Sequence, residues 1–351
     1  MSTSPAGSEP TGGAPVLSLD DVWTRLPTAA GPLSAVRGVS LDLYSNETVG
    51  LVGESGSGKS MLGRTILNIL PDGARVSGSI RYQGKDVRAD PRAGNGWRGV
   101  EIAMIFQNPM TSLNPVRTIG KQIIDPIRHH LGLAQREAAD RAMDLLNQVG
   151  VSAARQRLGQ YPHELSGGMR QRVAIAIALS CDPKVLIADE PTTALDVTVQ
   201  KQVLDLMESL QERFRMAILL ITHDLGVVAG RADRVAVMYA GEIVEMAQTA
   251  DLFAQMQHPY TRALLDSVPR LDDPPHVRRP SLAGRPPNLA LPLVGCPFQP
   301  RCANQQPDCA VEVPALVSVP ERSRSFSCHH PVGVHGTAVG GEGRAGHAAA
   351  E

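Results

Sequence analysis

Apolar residues recur along this chain in three rhythms, and each predicts a different kind of element. From Val16 to Leu43 they alternate with polar ones, interrupted between Pro27 and Pro32, which predicts an antiparallel strand pair joined by a loop. Thr48–Gly53, Lys184–Ala188 and Ala217–Thr222 are short runs dominated by apolar residues, the pattern of strands buried on both faces. Lys59–Leu70, Val173–Leu179 and Val199–Phe214 carry apolar residues at helical spacing. Between Arg117 and Val149 helix formers surround a stripe of Ile119, Ile123, Ile127 and Leu131, which predicts a helical insertion. Helices alternating with continuous apolar strands imply an α/β fold with a parallel sheet covered on both faces. Beyond about Gln255 the rhythm stops. Pro269, Pro274, Pro275, Pro280, Pro286, Pro287 and Pro292 follow in quick succession, which forbids long regular elements and marks an appended, loop-rich region. Residues 1–15 and 336–351 lack periodicity and read as disordered tails.

A length of 351 residues suits two to three structural units. With 42% hydrophobic and 20% charged residues, neither wholesale disorder nor a membrane-embedded chain fits. No apolar run approaches the roughly 18 residues of a spanning helix. A formal net charge of −1 offers no global basic field to nucleic acid or to an anionic lipid surface. The first residues have neither a basic start nor an apolar run, so the expected location is cytoplasmic.

The chemistry begins where an apolar strand runs into Gly53-Glu54-Ser55-Gly56-Ser57-Gly58-Lys59-Ser60, which matches the phosphate loop G-x-x-x-x-G-K-[ST]. Its glycines let backbone N–H groups converge on phosphates, and the helix that follows adds the positive end of its dipole. Lys59 is placed to reach the β/γ-phosphates, and the Ser60 hydroxyl to coordinate Mg²⁺. A second piece is Val185-Leu186-Ile187-Ala188-Asp189-Glu190, an apolar strand ending in two acids. Neighbouring side chains on a strand point to opposite faces, so Asp189 can serve the metal while Glu190 aims elsewhere, at the attacking water.

Leu165-Ser166-Gly167-Gly168-Met169-Arg170-Gln171-Arg172, about twenty residues before Asp189, resembles the signature motif of ATP-binding cassette (ABC) ATPases. Gln107 as lid glutamine, Ala194-Leu195-Asp196 as D-loop and His223 as switch histidine follow the family order. The resemblance implies a P-loop NTPase (ABC ATPase) core with a parallel sheet, an antiparallel β subdomain, a helical subdomain at about 108–170 and a small loop-rich C-terminal domain. It implies a head-to-tail dimer in which each ATP lies between one subunit's phosphate loop and the other's Ser166-Gly167-Gly168. It also implies that Gly53–Ser60 and Met61 cradle the nucleotide and that Ser60, Gln107 and Asp189 surround Mg²⁺. Glu190 is then the general base, with His223 on the γ-phosphate. Many relatives carry Gln where Met169 stands. Where the family commonly stacks adenine on an aromatic ring, the aligned residue is Leu26, and Trp23 lies three residues early.

Phe106-Gln107-Asn108-Pro109-Met110-Thr111-Ser112-Leu113-Asn114-Pro115 and His258-Pro259-Tyr260-Thr261-Arg262-Ala263-Leu264-Leu265 resemble segments of oligopeptide and dipeptide importer ATPases. The resemblance divides the chain into an ATPase domain over 16–255 and a C-terminal domain over 256–335. It implies that the chain works at the cytoplasmic face of the membrane with three kinds of partner: a second ATPase subunit, copy or paralogue, two transmembrane permeases and an extracytoplasmic peptide-binding protein. Importers of nickel or other small solutes share the pattern. Soluble ABC ATPases acting on ribosomes or DNA typically have tandem cassettes or long coiled-coil insertions, which this sequence lacks.

Cys296, Cys302, Cys309 and Cys328 cluster in the C-terminal region with spacing C-x5-C-x6-C-x18-C, while Cys181 ends an apolar helix and reads as a small buried residue. Four such thiolates can ligate tetrahedral Zn²⁺ or a [4Fe–4S] cluster, or remain free, with His329 and His330 as alternative ligands. The spacing lacks the C-x2-C pairs of zinc ribbons. Some relatives with this C-terminal pattern bind an iron–sulfur cluster, so the resemblance favours one of structural role.

Overall fold

The computed structural model describes residues 13–29, 31–88, 96–107, 112–193, 195–268, 282–319 and 324–332. Most of the two tails, residues 108–111, Ala194 and the first four prolines of the Pro-rich stretch lie outside the described residues. The chain opens with β1 (Leu17–Thr28), β2 (Gly31–Leu43), β3 (Thr48–Val52), α1 (Lys59–Ile66), β4 (Arg75–Tyr82), β5 (Lys85–Asp86) and β6 (Ile102–Ile105). A helical lobe follows with α2 (Ile119–Leu131), α3 (Gln135–Gln148), α4 (Ala154–Arg157) and α5 (Gly167–Ala178). The core resumes with β7 (Val185–Asp189), α6 (Val197–Phe214), β8 (Ala217–Thr222), α7 (Leu225–Ala229), β9 (Arg234–Tyr239) and β10 (Glu242–Gln248). Last come α8 (Thr249–Ala254), α9 (Pro259–Ser267), β11 (Val317–Val319) and β12 (Arg324–Phe326).

Two sheets organise these elements. In the smaller, ordered β2-β1-β4-β5, β1 and β2 pair antiparallel as expected, but the ladder runs on through Pro27 opposite Pro32. The prolines are tolerated because β4 covers β1 only as far as Arg25, so beyond it a missing N–H costs no ladder bond on that side. The larger sheet is ordered β11-β12-β10-β9-β3-β8-β7-β6. From β9 to β6 it is parallel, and the fully buried runs of β3, β7 and β8 lie side by side at its centre. β10, β12 and β11 extend it antiparallel, so the C-terminal region adds strands to the ATPase sheet itself.

The helical insertion appears as α2 and α3, with Ile119, Ile123 and Ile127 buried on one stripe. Thr118 caps α2, and Gly132 ends it at φ 69°. Among the described residues no helix is long and apolar enough to cross a membrane.

Candidate nucleotide site and cysteine centre

Residues 53–58 join β3 to α1 with Gly56 and Gly58 at φ 83° and 107°. Gly53 cannot carry a side chain, because a Cβ there would lie 2.2 Å from the Met238 carbonyl oxygen on β9. The loop is therefore pressed against the sheet. Buried Lys59 curls back, its Nζ donating to Gly53 O at 2.7 Å and Glu54 O at 2.9 Å. Burial lowers its pKa, against the pull of Glu190, Asp189 and Glu54. Ser57 Oγ is buried in the cradle without a partner, an unmet hydrogen bond suited to a phosphate oxygen.

Beside the loop, Ser60 Oγ donates to Asp189 Oδ1 at 2.8 Å. Asp189 is 2% exposed, and burial raises its pKa against that hydrogen bond. An acid and a hydroxyl paired in this way form a donor set suited to a hard divalent cation. Glu190 turns out of the strand at φ 46°, its N–H donating to Ile221 O at 2.9 Å. Its carboxylate accepts from Gln107 Nε2 at 2.7 Å and from Thr193 Oγ1 at 2.8 Å. His223 Nδ1 lies 3.0 Å from its other oxygen. Burial pushes the Glu190 carboxyl up, but His223, Thr193 and Gln107 together outweigh it and hold the group below its ordinary range.

Glu54–Met61, Gln107 and Glu190 line one cleft of about 450 Å³, bounded at its far end by Leu26, Leu33 and Pro286–Leu289. Trp23 is not among the lining residues; its Nε1 donates to Asp21. Ser166, Gly167 and Gly168 are not among them either. Ser166 caps α5 by accepting from Met169 N, and the two glycines sit near Leu195 and Val199 of the D-loop and α6. Asp196 caps α6 in turn.

Sequence reasoning missed Thr193, and it missed a buried bracket behind the loop. Arg301 forks onto Glu54 at 2.6 and 2.9 Å and reaches Tyr239 Oη at 3.3 Å. The Glu54 N–H donates to Tyr260 Oη at 2.8 Å. Tyr239, Tyr260 and Phe298 pack ring against ring behind it. The signal for Tyr260 lay inside the His258–Leu265 segment. Arg301 had no local signal.

All four clustered cysteines line one small cavity with His258, His329 and His330. Burial raises the Cys296, Cys302 and Cys328 thiols, the last to about 12, and each is raised further by neighbouring cysteines. Among the described residues the three ligand atoms lying within 4.8 Å of one another are those of Asp308, Cys309 and His330. Four thiolates around one zinc ion, with bonds of about 2.3 Å, would crowd within about 4 Å. The four cysteine sulfurs do not form a set of that kind. His330 Nε2 lies 2.8 Å from both Asp308 oxygens, and His329 Nε2 lies 3.2 Å from Glu312 O. Cys181 is buried apart from them.

Two family descriptions match the chain: "ABC transporter" over residues 36–193 and "Oligopeptide/dipeptide transporter, C-terminal region" over 244–309. The chain is 48% identical to the dipeptide transport ATP-binding protein DppD of Bacillus subtilis, over 84% of this chain and 88% of that one. It is 45% identical to the oligopeptide transport ATP-binding protein OppD of Salmonella typhimurium, over 90% and 94%. Among solved structures, the ATP-binding cassette MJ0796 bound to ADP and Pi superposes with a TM-score of 0.59 at 26% identity, over 66% of this chain and 98% of that one. Clostridium perfringens cbiO1, part of an ABC transporter complex, gives 0.58 at 25%, over 69% and 92%.

Proposed function

Because the chain belongs to the ABC transporter ATP-binding proteins of oligopeptide and dipeptide import, we propose a role for each residue that its cleft brings together. The chain is an ATPase, converting ATP and water to ADP and phosphate. The observation that carries the assignment is that Lys59, Ser60 and Glu190 line one cleft and Asp189 is hydrogen-bonded to Ser60 beside it, although more than a hundred residues separate the two pairs.

Lys59 leaves the carbonyls of residues 53 and 54 for the β/γ-phosphates, and the loop N–H groups and Ser57 Oγ bind phosphate oxygens. Ser60, Asp189 and Gln107 would hold Mg²⁺, which would neutralise charge on the phosphates. Glu190 orients the attacking water and takes its proton; Thr193 and His223 fix the carboxylate, and His223 reaches the γ-phosphate. A carboxylate kept ionised by these partners is ready to accept that proton. General bases of this kind contribute about 10²–10⁴-fold. Glu190→Gln is therefore expected to cut ATP hydrolysis by at least about a hundredfold while ATP binding is retained. Near-normal hydrolysis by that variant refutes the assignment.

The family implies permease partners in the membrane and a dimeric ATPase. In our reading Ser166, Gly167 and Gly168, which lie outside their own chain's cleft, close on the ATP of a second ATPase subunit. An apolar groove of about 670 Å³ between the core and the helical lobe, lined by Ile69, Phe106, Leu113 and Ile177, receives the permease. Work at the cytoplasmic face of the inner membrane, and cooperation with an extracytoplasmic peptide-binding protein, follow from that reading. Cys296, Cys302, Cys309 and Cys328, which line one small cavity, would as thiolates hold a [4Fe–4S] cluster, which would tie the loop-rich region together.

A further inference from the structure

The far end of the nucleotide cleft is built from two separate parts of the chain. One wall is the tip of the β1–β2 pair, where Leu26 stands opposite Leu33 in register. The facing wall is Pro286, Pro287, Asn288 and Leu289, which come from the C-terminal region. The walls are joined by a hydrogen bond from Ser34 N to Leu289 O at 3.2 Å. Leu26, Leu33, Pro287 and Leu289 are all half-buried, so the slot between the walls is apolar and open.

No free aromatic face offers an alternative. The one aromatic side chain lining the cleft among the described residues is Tyr239, which is buried and packed by Tyr260 and Phe298 at ring-centroid distances of 4.6 and 5.3 Å. A purine attached to a triphosphate in the loop needs a flat apolar slot to leave water, and proline rings and leucine methyls supply one.

The second wall is also fixed relative to the phosphate loop. Arg301 donates from Nε to Ala283 O at 2.9 Å, at the start of the segment, while its fork grips Glu54 of the loop. Gly284 lets the backbone pass over the guanidinium stem, since a Cβ there would sit 3.2 Å from Arg301 Cγ at a φ of 78°. Asn288 closes the turn by accepting from Ala290 N on Oδ1 and from Leu291 N on its carbonyl.

We propose that the C-terminal region completes the ATP pocket of its own chain, Pro287 and Leu289 forming the wall on which the purine rests opposite Leu26 and Leu33. Arg301 is the positioning residue that sets this wall against the phosphate loop. This rests on the reading of the cleft as the ATP site, and it adds a binding role for a segment outside the ATPase motifs.

The test compares two probes on the full-length chain: Mg-ATP, and inorganic tripolyphosphate, which has the phosphates without the purine. Leu289→Asn keeps the backbone bond to Ser34 and removes apolar surface. It is expected to weaken ATP binding about tenfold and leave tripolyphosphate binding within about twofold of the parent. Unchanged ATP affinity, or equal weakening for both probes, overturns the proposal. Photolabelling of the unsubstituted chain with 8-azido-ATP gives an independent readout. Label on residues 286–289 supports the wall, and label confined to β1 and β2 overturns it. Failure of the parent chain to bind either probe would instead refute the phosphate-loop reading itself.

Discussion

Replacing Arg301 by Met keeps most of the side chain's volume and deletes its fork. The Arg301 side chain is 3% exposed and that of Glu54 27%, so the pair lies largely out of water. Hydrogen bonds to a charged partner contribute about 1.5–3 kcal/mol each, and two bonds sharing one charge count for less than twice that. Breaking a buried pair from one side costs about 3–5 kcal/mol, and partial rehydration of Glu54 puts this case at about 3 kcal/mol. Urea unfolding of Arg301→Met, Glu54→Gln and the double variant, followed by circular dichroism, measures both the loss and the coupling. The coupling is expected at about 2 kcal/mol, above the range of at most about 1 kcal/mol for exposed pairs. A single-variant loss below about 0.5 kcal/mol, or additivity within that margin, would show that the bracket does not hold the C-terminal region to the phosphate loop.

Three further outcomes follow from the same geometry. Gly53→Ala forces a methyl into the Met238 carbonyl, so it should cost about 2–3 kcal/mol on thermal unfolding and abolish ATP binding; a variant that binds normally contradicts the close approach. His258 is buried and its pKa depressed to about 3, against about 6.5 in the unfolded chain, so its stabilising contribution is complete above pH 6.5 and falls away as the pH drops toward 3. His258→Asn, which keeps an acceptor for the N–H of residue 260, should remove about 2 kcal/mol of the stability lost between pH 7.5 and pH 5; identical pH profiles would refute this. Protein purified without oxygen should be brown with about four iron and four sulfide per chain, and Cys302→Ser should bleach it; colourless protein with one zinc rejects the cluster.

What could be read from the sequence was what is local. The phosphate loop, the acids ending β7, and His223 after β8 are each fixed by a few adjacent residues, and the sheet brings them together because its parallel strands end on one side. β9 and β10 continue the sheet without any motif, and went unread. β11 and β12 are three residues each, too short for any rhythm to register. Arg301 and Glu54 are 247 positions apart, and no periodicity spans that distance. Leu26 lines the cleft and Trp23 does not. What stands opposite it came from the proline-rich stretch, whose sequence spoke only of irregular backbone.

β12 is zipped to β10, Leu289 is bonded to β2 and Arg301 is clamped on the phosphate loop, all from one side of residues 269–281. The covalent link through those residues is thus not what keeps the C-terminal region in place. A chain severed there should stay together as a two-piece molecule, and a separately expressed C-terminal piece could dock by completing the sheet, so this protein is divisible by a single cut without being dismantled.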